Sequence, residues 1–250
     1  MLMGVFRFKR FDVLNERSAM KVNTDGVLLG AVTEVSPLDR FVLDVGTGTG
    51  VVALMLAQKL AGYGDDFDIL GIDVDGPSAT EAAASFASSP WSAHLASLQA
   101  SLKEYSRTCP EGGKKPDLIV SNPPFFDNSL AAPEARRNVA RHTSDTLSFR
   151  EILEYASLCL AAEGRVSMIL PAATETELLR YARMCGFVPW KILRIRSKEG
   201  KPYSRIIVQF RRRQPGSTIQ DAEESVLELL DKEGKRTPRY ASLVSDYLLQ

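Results

Sequence analysis

Short apolar runs alternate along the chain with stretches in which apolar residues recur at helical spacing. RFVLDV (40–45) passes through the turn GTGTG into VVALMLAQKL, an amphipathic helix predicted to end near Gly62. FDILGIDVD (67–75) reads as a second buried strand ending in acids, and GPSATEAAASFASSP as an alanine-rich helix stopped by Pro90. HLASLQAS is a third strand. PDLIVSNPPFF is a fourth, closed where consecutive prolines remove backbone donors. After a polar, arginine-bearing loop (127–147) come a helix around SFREILEYASLCLAAEG, a strand RVSMILP and a helix TETELLRYARMCG. Two strands within VPWKILRIRSKEGKPYSRIIVQFRR follow, joined by a polar turn with Gly200 and Pro202. The alternation predicts an α/β fold: a mostly parallel, seven-stranded sheet with one antiparallel edge strand and helices on both faces.

The two ends stand outside this rhythm. Residues 1–36 read as an extension with a hairpin or short strand at VFRFKRF and a helix through TDGVLLGAV. Residues 37–213 form the α/β unit. Residues 214–250 read as a helical appendage, DAEESVLELLDKEG and SLVSDYLL, reached through the polar stretch RRRQPGSTIQDAEE.

Composition narrows the class. At 250 residues, 44% hydrophobic and 25% charged, the chain has the make-up of an ordinary globular protein. It lacks an apolar run long enough to span a bilayer, and its start lacks the pattern of a signal peptide, so a cytoplasmic protein without a membrane partner is expected. Cys109, Cys159 and Cys185 are widely spaced, so free thiols and no metal site are expected. Lysine plus arginine equals aspartate plus glutamate at 31 each, but the distribution is uneven. Lys191 to Arg213 is strongly basic, with Glu199 its single acid, and Arg136, Arg137, Arg141 and Arg150 form a second group.

The turn DVGTGTG carries the first chemistry. Gly46, Gly48 and Gly50 allow a sharp strand-to-helix turn and let a ligand lie against bare main chain. Asp44 precedes the turn, where an acid repels a pyrophosphate but can pair with an ammonium. Asp73, followed by Val74, closes the next strand, placed for the two hydroxyls of a ribose. An adenosine with a cationic amino-acid tail and no phosphates fits, and S-adenosylmethionine has that description; a nucleotide-binding dehydrogenase is the alternative.

SNPPFF (121–126) leaves the fourth strand on the same side of the sheet. The Asn122 side-chain oxygen and the Pro123 carbonyl are expected to accept both hydrogens of an exocyclic amine, freeing its lone pair to attack a methyl sulfonium. Pro123 and Pro124, with fixed φ and no donors, hold that corner still. Phe125 offers a flat face for a base drawn out of its stack. Core packing is the expectation for Phe126.

At these residues the chain resembles a known group. DVGTGTG, Asp73 and NPPF resemble the class I S-adenosylmethionine-dependent amino-methyltransferases, which implies a Rossmann-like methyltransferase domain over 37–213. FKRFDVLNERSAMKVNTDGVLLGA, with NPPFF, Ala140-Arg141-His142 and Tyr240, resembles the bacterial tRNA(Val) adenine-37 N6-methyltransferase family. The resemblance implies methyl transfer to the N6 amine of an adenine in tRNA, with Lys21, Thr24 and Asp25 over the cofactor pocket in an N-terminal lid. Where relatives end the third strand with an acid for the adenine amino group, this chain has Ser101, kept as a cofactor contact with Gln99 beside it.

For the tRNA itself, Arg136, Arg137, Arg141 and His142, with Lys198, Lys201, Arg205 and Arg211, are the expected backbone contacts. A monomer or weak homodimer is expected. The alternative function is a glutamine-amide N5-methyltransferase acting on a protein such as a release factor. Phe125, where a tyrosine is usual in those enzymes, weighs against it.

Overall fold

The structure is a computed structural model that describes residues 4–108, 113–124, 147–214, 216 and 221–249. In chain order the elements are β1 (Val5–Arg7), β2 (Asp12–Leu14), α1 (Thr24–Val32), β3 (Phe41–Val45), α2 (Val51–Leu60), β4 (Asp68–Asp73), α3 (Gly76–Ala87), β5 (Leu95–Gln99), α4 (Leu102–Thr108) and β6 (Leu118–Ser121). They continue with α5 (Phe149–Cys159), β7 (Arg165–Pro171), α6 (Glu175–Met184), β8 (Phe187–Arg196), β9 (Arg205–Arg212), β10 (Glu223–Glu228) and α7 (Pro238–Val244).

β1 and β2 form a small antiparallel hairpin, and the other eight strands one sheet in the order β10-β8-β9-β7-β6-β3-β4-β5. From β7 to β5 all neighbours are parallel. One apolar cluster packs α1, α2, α7 and the inner side of α3 on one face; a second packs α5 and α6 on the other. Strand residues alternate between the two, as pleating requires: Val42 joins the first, Leu43 and Val45 the second.

Two expectations change. The antiparallel strand β9 is not at the edge; it lies between β7 and β8. Its run Ile206–Phe210 is buried, as suits a strand covered on both faces. The sheet also has an eighth strand: β10, within the stretch predicted helical, pairs in parallel with β8. Tertiary context overrides local preference here. Lys191 and Arg196 lie directly opposite Glu223 and Glu228 and pair with them, and Arg194 pairs with Glu224 and with Glu175 on α6. Much of the basic stretch is therefore neutralised within the fold.

The turn after β3 shows why its third glycine is needed. Gly50 has φ +80°, and a Cβ there would stand 2.5 Å from Cε1 of Phe86 on α3. Gly50→Ala combines a disfavoured backbone with overpacking and is expected to destabilise the chain by about 2–4 kcal/mol. A urea midpoint unchanged from the parent would refute this.

Candidate active site

The C-terminal ends of β6, β3 and β4 lie side by side, and the segments leaving them border one cavity of about 290 Å³. Glycine-turn residues 46–49, Asp73, Val74, Asn122 and Pro124 line it; Ala19, Met20, Lys21, Asn23 and Gly26 close it from the N-terminal side. This is the crevice at the carboxyl ends of parallel strands, where open α/β sheets bind ligands.

The glycine turn is tied to β4 by main-chain bonds. Gly46 N and Thr47 N both donate to Ile72 O, at 2.9 and 3.0 Å. Gly48 N donates to Asp73 Oδ2 and Asp75 N to Asp73 Oδ1, at 2.8 and 2.9 Å. Asp73 thus holds the turn to the head of α3, where Asp75 caps the helix by accepting from Ser78 N. Burial raises the Asp73 pKa, against the lowering effect of the Asp75 and Gly48 N–H groups. Asp44 is buried below the turn, and burial drives its pKa from the usual 3.8 to about 7, opposed by the hydroxyl of Thr47 at 2.8 Å and reinforced by the charge of Asp73.

The charged lining is Asp44, Asp73 and Asp75 against Lys21. Three acids facing one base repel a pyrophosphate and suit a cationic ligand, which removes the support for a dinucleotide. A buried acid with a raised pKa gains most from an ammonium partner, and Gly46 and Gly48 present bare main chain to the same space. The residues fit a nucleoside with a positively charged tail.

Asn122 stands at the end of β6, half-buried, with its Oδ1 buried and without a hydrogen-bond partner among the described residues. Its Nδ2 lies 3.9 Å from Met20 Sδ. Ser121, just before it, is anchored to Val45 O at 2.6 Å, Pro123 is buried, and Pro124 is exposed and lines the cavity. Phe125, Phe126, Arg136, Arg137, Arg141 and His142 lie outside the described residues.

Other predicted residues sort by position. Lys21 lines the cavity, but Thr24 and Asp25 are not among its lining residues; Asn23 and Gly26 take that place, with Asn23 capping α1 through Gly26 N. Asp25 instead pairs with Arg205 at 2.8 Å, so a residue expected over the cofactor and one expected on tRNA meet each other. Gly50 and Ser101 are also outside the lining. Ser101 exchanges hydrogen bonds with Glu104 at the start of α4, a capping box that the sequence S-L-K-E already carries.

The basic residues divide between the two ends of the sheet. β9 runs against β7, so Arg205 lies opposite Pro171 at the cavity end, and a half-buried Lys198 and an exposed Lys201 lie in the connection beside it. Arg211 lies opposite Arg165 at the far end, roughly 20 Å away by strand rise. Arg212 donates to the carbonyls of Ala156, Ser157 and Leu160 and so closes the end of α5. Met20, Asn23, Gly26 and Asp75 are site residues that residue-by-residue reading missed; the first three fall within the N-terminal motif, and Asp75 follows Asp73 at the strand end.

A wider groove of about 870 Å³ lies between the end of α1 and the β8–β9–β10 side of the sheet and shares no residue with this cavity. Its charges are occupied structurally. Lys59 Nζ donates to Ala31 O and Thr33 O, and Lys191 pairs with Glu34 and Glu223.

Comparison with known proteins agrees with this geometry. Residues 18–172 match the methyltransferase small domain family. Among solved structures, the fold is similar to a predicted O-methyltransferase from Agrobacterium tumefaciens, with TM-score 0.61 and 18% identity, covering 89% of this chain and 96% of that one. It is also similar to a T. Thermophilus 16S rRNA N2 methyltransferase solved with AdoMet and guanosine, with TM-score 0.53 and 19% identity over 82% of this chain and 47% of that one. These likenesses show the fold. Among curated sequences, the tRNA1(Val) (adenine(37)-N6)-methyltransferase of Bacteroides fragilis is 38% identical over 82% of this chain and 83% of its own length. That of Parabacteroides distasonis is 36% identical over 98% of both chains. With identity of this level running nearly end to end, and with the glycine turn and Asn122 on one cavity, the chain belongs to the tRNA1(Val) (adenine(37)-N6)-methyltransferase family.

Proposed function

We propose that this protein transfers a methyl group from S-adenosylmethionine to the N6 amine of adenine 37 in tRNA1(Val). The observation that carries the reading is Asn122, a proline-locked amide whose Oδ1 is buried without a partner at the rim of an acidic, nucleoside-sized cavity. Bound there, S-adenosylmethionine supplies a methyl group activated by a positively charged sulfur. Asp44 would pair with the ammonium of its tail, Asp73 and the neighbouring Val74 would hold the ribose, and Gly46 and Gly48 would let it lie against main chain. The Asn122 Oδ1 and the Pro123 carbonyl accept the two N6 hydrogens. That leaves the amine lone pair free of the ring and stabilises the positive charge the nitrogen gains on bond formation. The extra proton then passes to solvent, so no strong base is needed.

The tRNA must present the adenine unstacked, as a loop base is. Lys198, Lys201 and Arg205, at the cavity end of the sheet, suit contacts to the surrounding phosphates. The deciding experiment is tritiated-methyl transfer to tRNA, DNA and release factor in parallel, followed by nucleoside mapping. Label is expected in tRNA as N6-methyladenosine; label confined to release factor would mean amide methylation instead.

Asp44 makes the site pH-dependent. Its folded pKa of about 7 lies above the ordinary 3.8, so between those values the folded chain holds a proton that the unfolded chain releases. The stability of the free protein should therefore fall as pH rises from about 4 to about 7, by a few kcal/mol, and then level off. Cofactor affinity should move the opposite way, tightening up to about tenfold per pH unit until Asp44 is ionised near pH 7. Asp44→Asn should flatten both trends, and parallel slopes in parent and variant would refute the assignment.

A further inference from the structure

We propose that Met20 is a positioning residue that sets the rotational state of the Asn122 side-chain amide, and so decides which of its two heteroatoms meets the target amine. The proposal rests on the adenine-N6 reading of this site and adds a residue to it.

A carboxamide can turn by half a revolution about its last bond with almost no change in shape, but its two ends have opposite chemistry: the oxygen only accepts and the nitrogen only donates. An amine whose hydrogens must be accepted is served by one state and repelled by the other. Something beside Asn122 must tell the two states apart, and a purely hydrocarbon neighbour could not.

Met20 can. Its Sδ lies 3.9 Å from Asn122 Nδ2, within reach of an N–H···S bond, while Oδ1 is buried with no partner among the described residues. A thioether accepts but cannot donate. With the amide reversed, Oδ1 would face the sulfur lone pairs and the N–H₂ would take the place of the free acceptor. Met20 is 39% exposed, so filling the core does not explain its position.

The segment that carries it is held firmly. Glu81 on α3 accepts from the main-chain N–H groups of Glu16, Arg17 and Ser18, at 2.9, 2.6 and 2.7 Å. Ser18 Oγ donates to Met20 O at 3.0 Å and lies 2.9 Å from Ser78 Oγ. Val22 N, on the other side of Met20, donates to Asn15 Oδ1 at 2.8 Å. Through these bonds α3 places a sulfur acceptor against an asparagine 102 residues away.

The test compares Met20→Leu, which keeps an apolar side chain but removes the acceptor, with Met20→Glu, whose ionised carboxylate, like the thioether, accepts but cannot donate. Met20→Leu should lower kcat for tRNA methylation by about three- to tenfold, the worth of one modest hydrogen bond, with KM for tRNA and Kd for S-adenosylmethionine nearly unchanged. Met20→Glu should recover part of that loss. In an Asn122→Asp background, where both terminal atoms accept, adding Met20→Leu should cost little further, because no orientation is left to select. A Met20→Leu kcat within about twofold of the parent, or a Met20→Glu chain as slow as Met20→Leu, overturns the proposal. Nitrogen-15 spectra give a readout that needs no substrate. The Asn122 side-chain amide peaks, identified by their loss in Asn122→Ala, should shift in Met20→Leu and return towards the parent in Met20→Glu; unmoved peaks also overturn it. A parent that leaves tRNA unlabelled would sink the adenine-N6 reading, while these spectra would still decide the contact.

Discussion

Asn122→Ala is expected to lower kcat for tRNA methylation by about 10²–10³-fold while leaving the Kd for S-adenosylmethionine within about twofold of the parent. The split follows from where the side chain stands. Its Oδ1 makes no bond to the glycine turn or to Asp73, so truncation leaves the Asp44–Thr47 and Gly48–Asp73 contacts in place. What is lost is an acceptor needed most strongly as positive charge develops on the attacking nitrogen, and a group of that kind acts on turnover more than on binding. Single-turnover kinetics with calorimetric titration of the cofactor measures both quantities. Equal losses in kcat and in cofactor affinity would show that Asn122 is a binding residue, and the proposed chemistry would have to be abandoned.

Asp73→Ala is expected to have the reverse signature: a Kd for S-adenosylmethionine raised by roughly 10²–10³-fold, with a much smaller change in kcat at saturating cofactor. Its two oxygens already hold Gly48 N and Asp75 N, so the carboxylate both shapes the turn and is placed to accept from the ribose. Hydrogen bonds to a charged group contribute about 1.5–3 kcal/mol each, and the substitution removes several together. Asp73→Asn, which keeps one oxygen acceptor, should fall between the parent and the alanine variant. A cofactor Kd changed by less than about fivefold in Asp73→Ala would show that the ribose is held elsewhere.

The two predictions separate because the cavity has two walls of different origin. The wall proposed for the cofactor is the β3 turn and the end of β4, joined by main-chain bonds from Gly46 and Thr47 to Ile72 O. The wall proposed for the substrate is the end of β6, locked by prolines and faced by the N-terminal segment. The Asp25–Arg205 pair links the start of α1 to the start of β9, tying that segment to the basic connection at the same end of the sheet.

Short stretches of the chain encode one part of this architecture. The strand–turn–helix around Gly46, Gly48 and Gly50, the acids closing β4, the hairpin at the start and the proline stop after β6 follow from periodicity and turn chemistry within about a dozen residues. Ser101, expected at the cofactor, instead caps α4 through its bonds to Glu104 and lies outside the cavity lining. Packing between distant elements set the remainder. Glu223–Glu228 became a strand because β8 offered an unpaired edge and cations to match its acids. One basic stretch was divided into Arg205 at the cavity end and Arg211 at the other because β9 runs antiparallel, a sense that charge counting does not contain. Asp25 met Arg205 across 180 residues, and Met20 met Asn122 across 102. Such pairs depend on how separate elements pack, which residue periodicity along the chain does not specify.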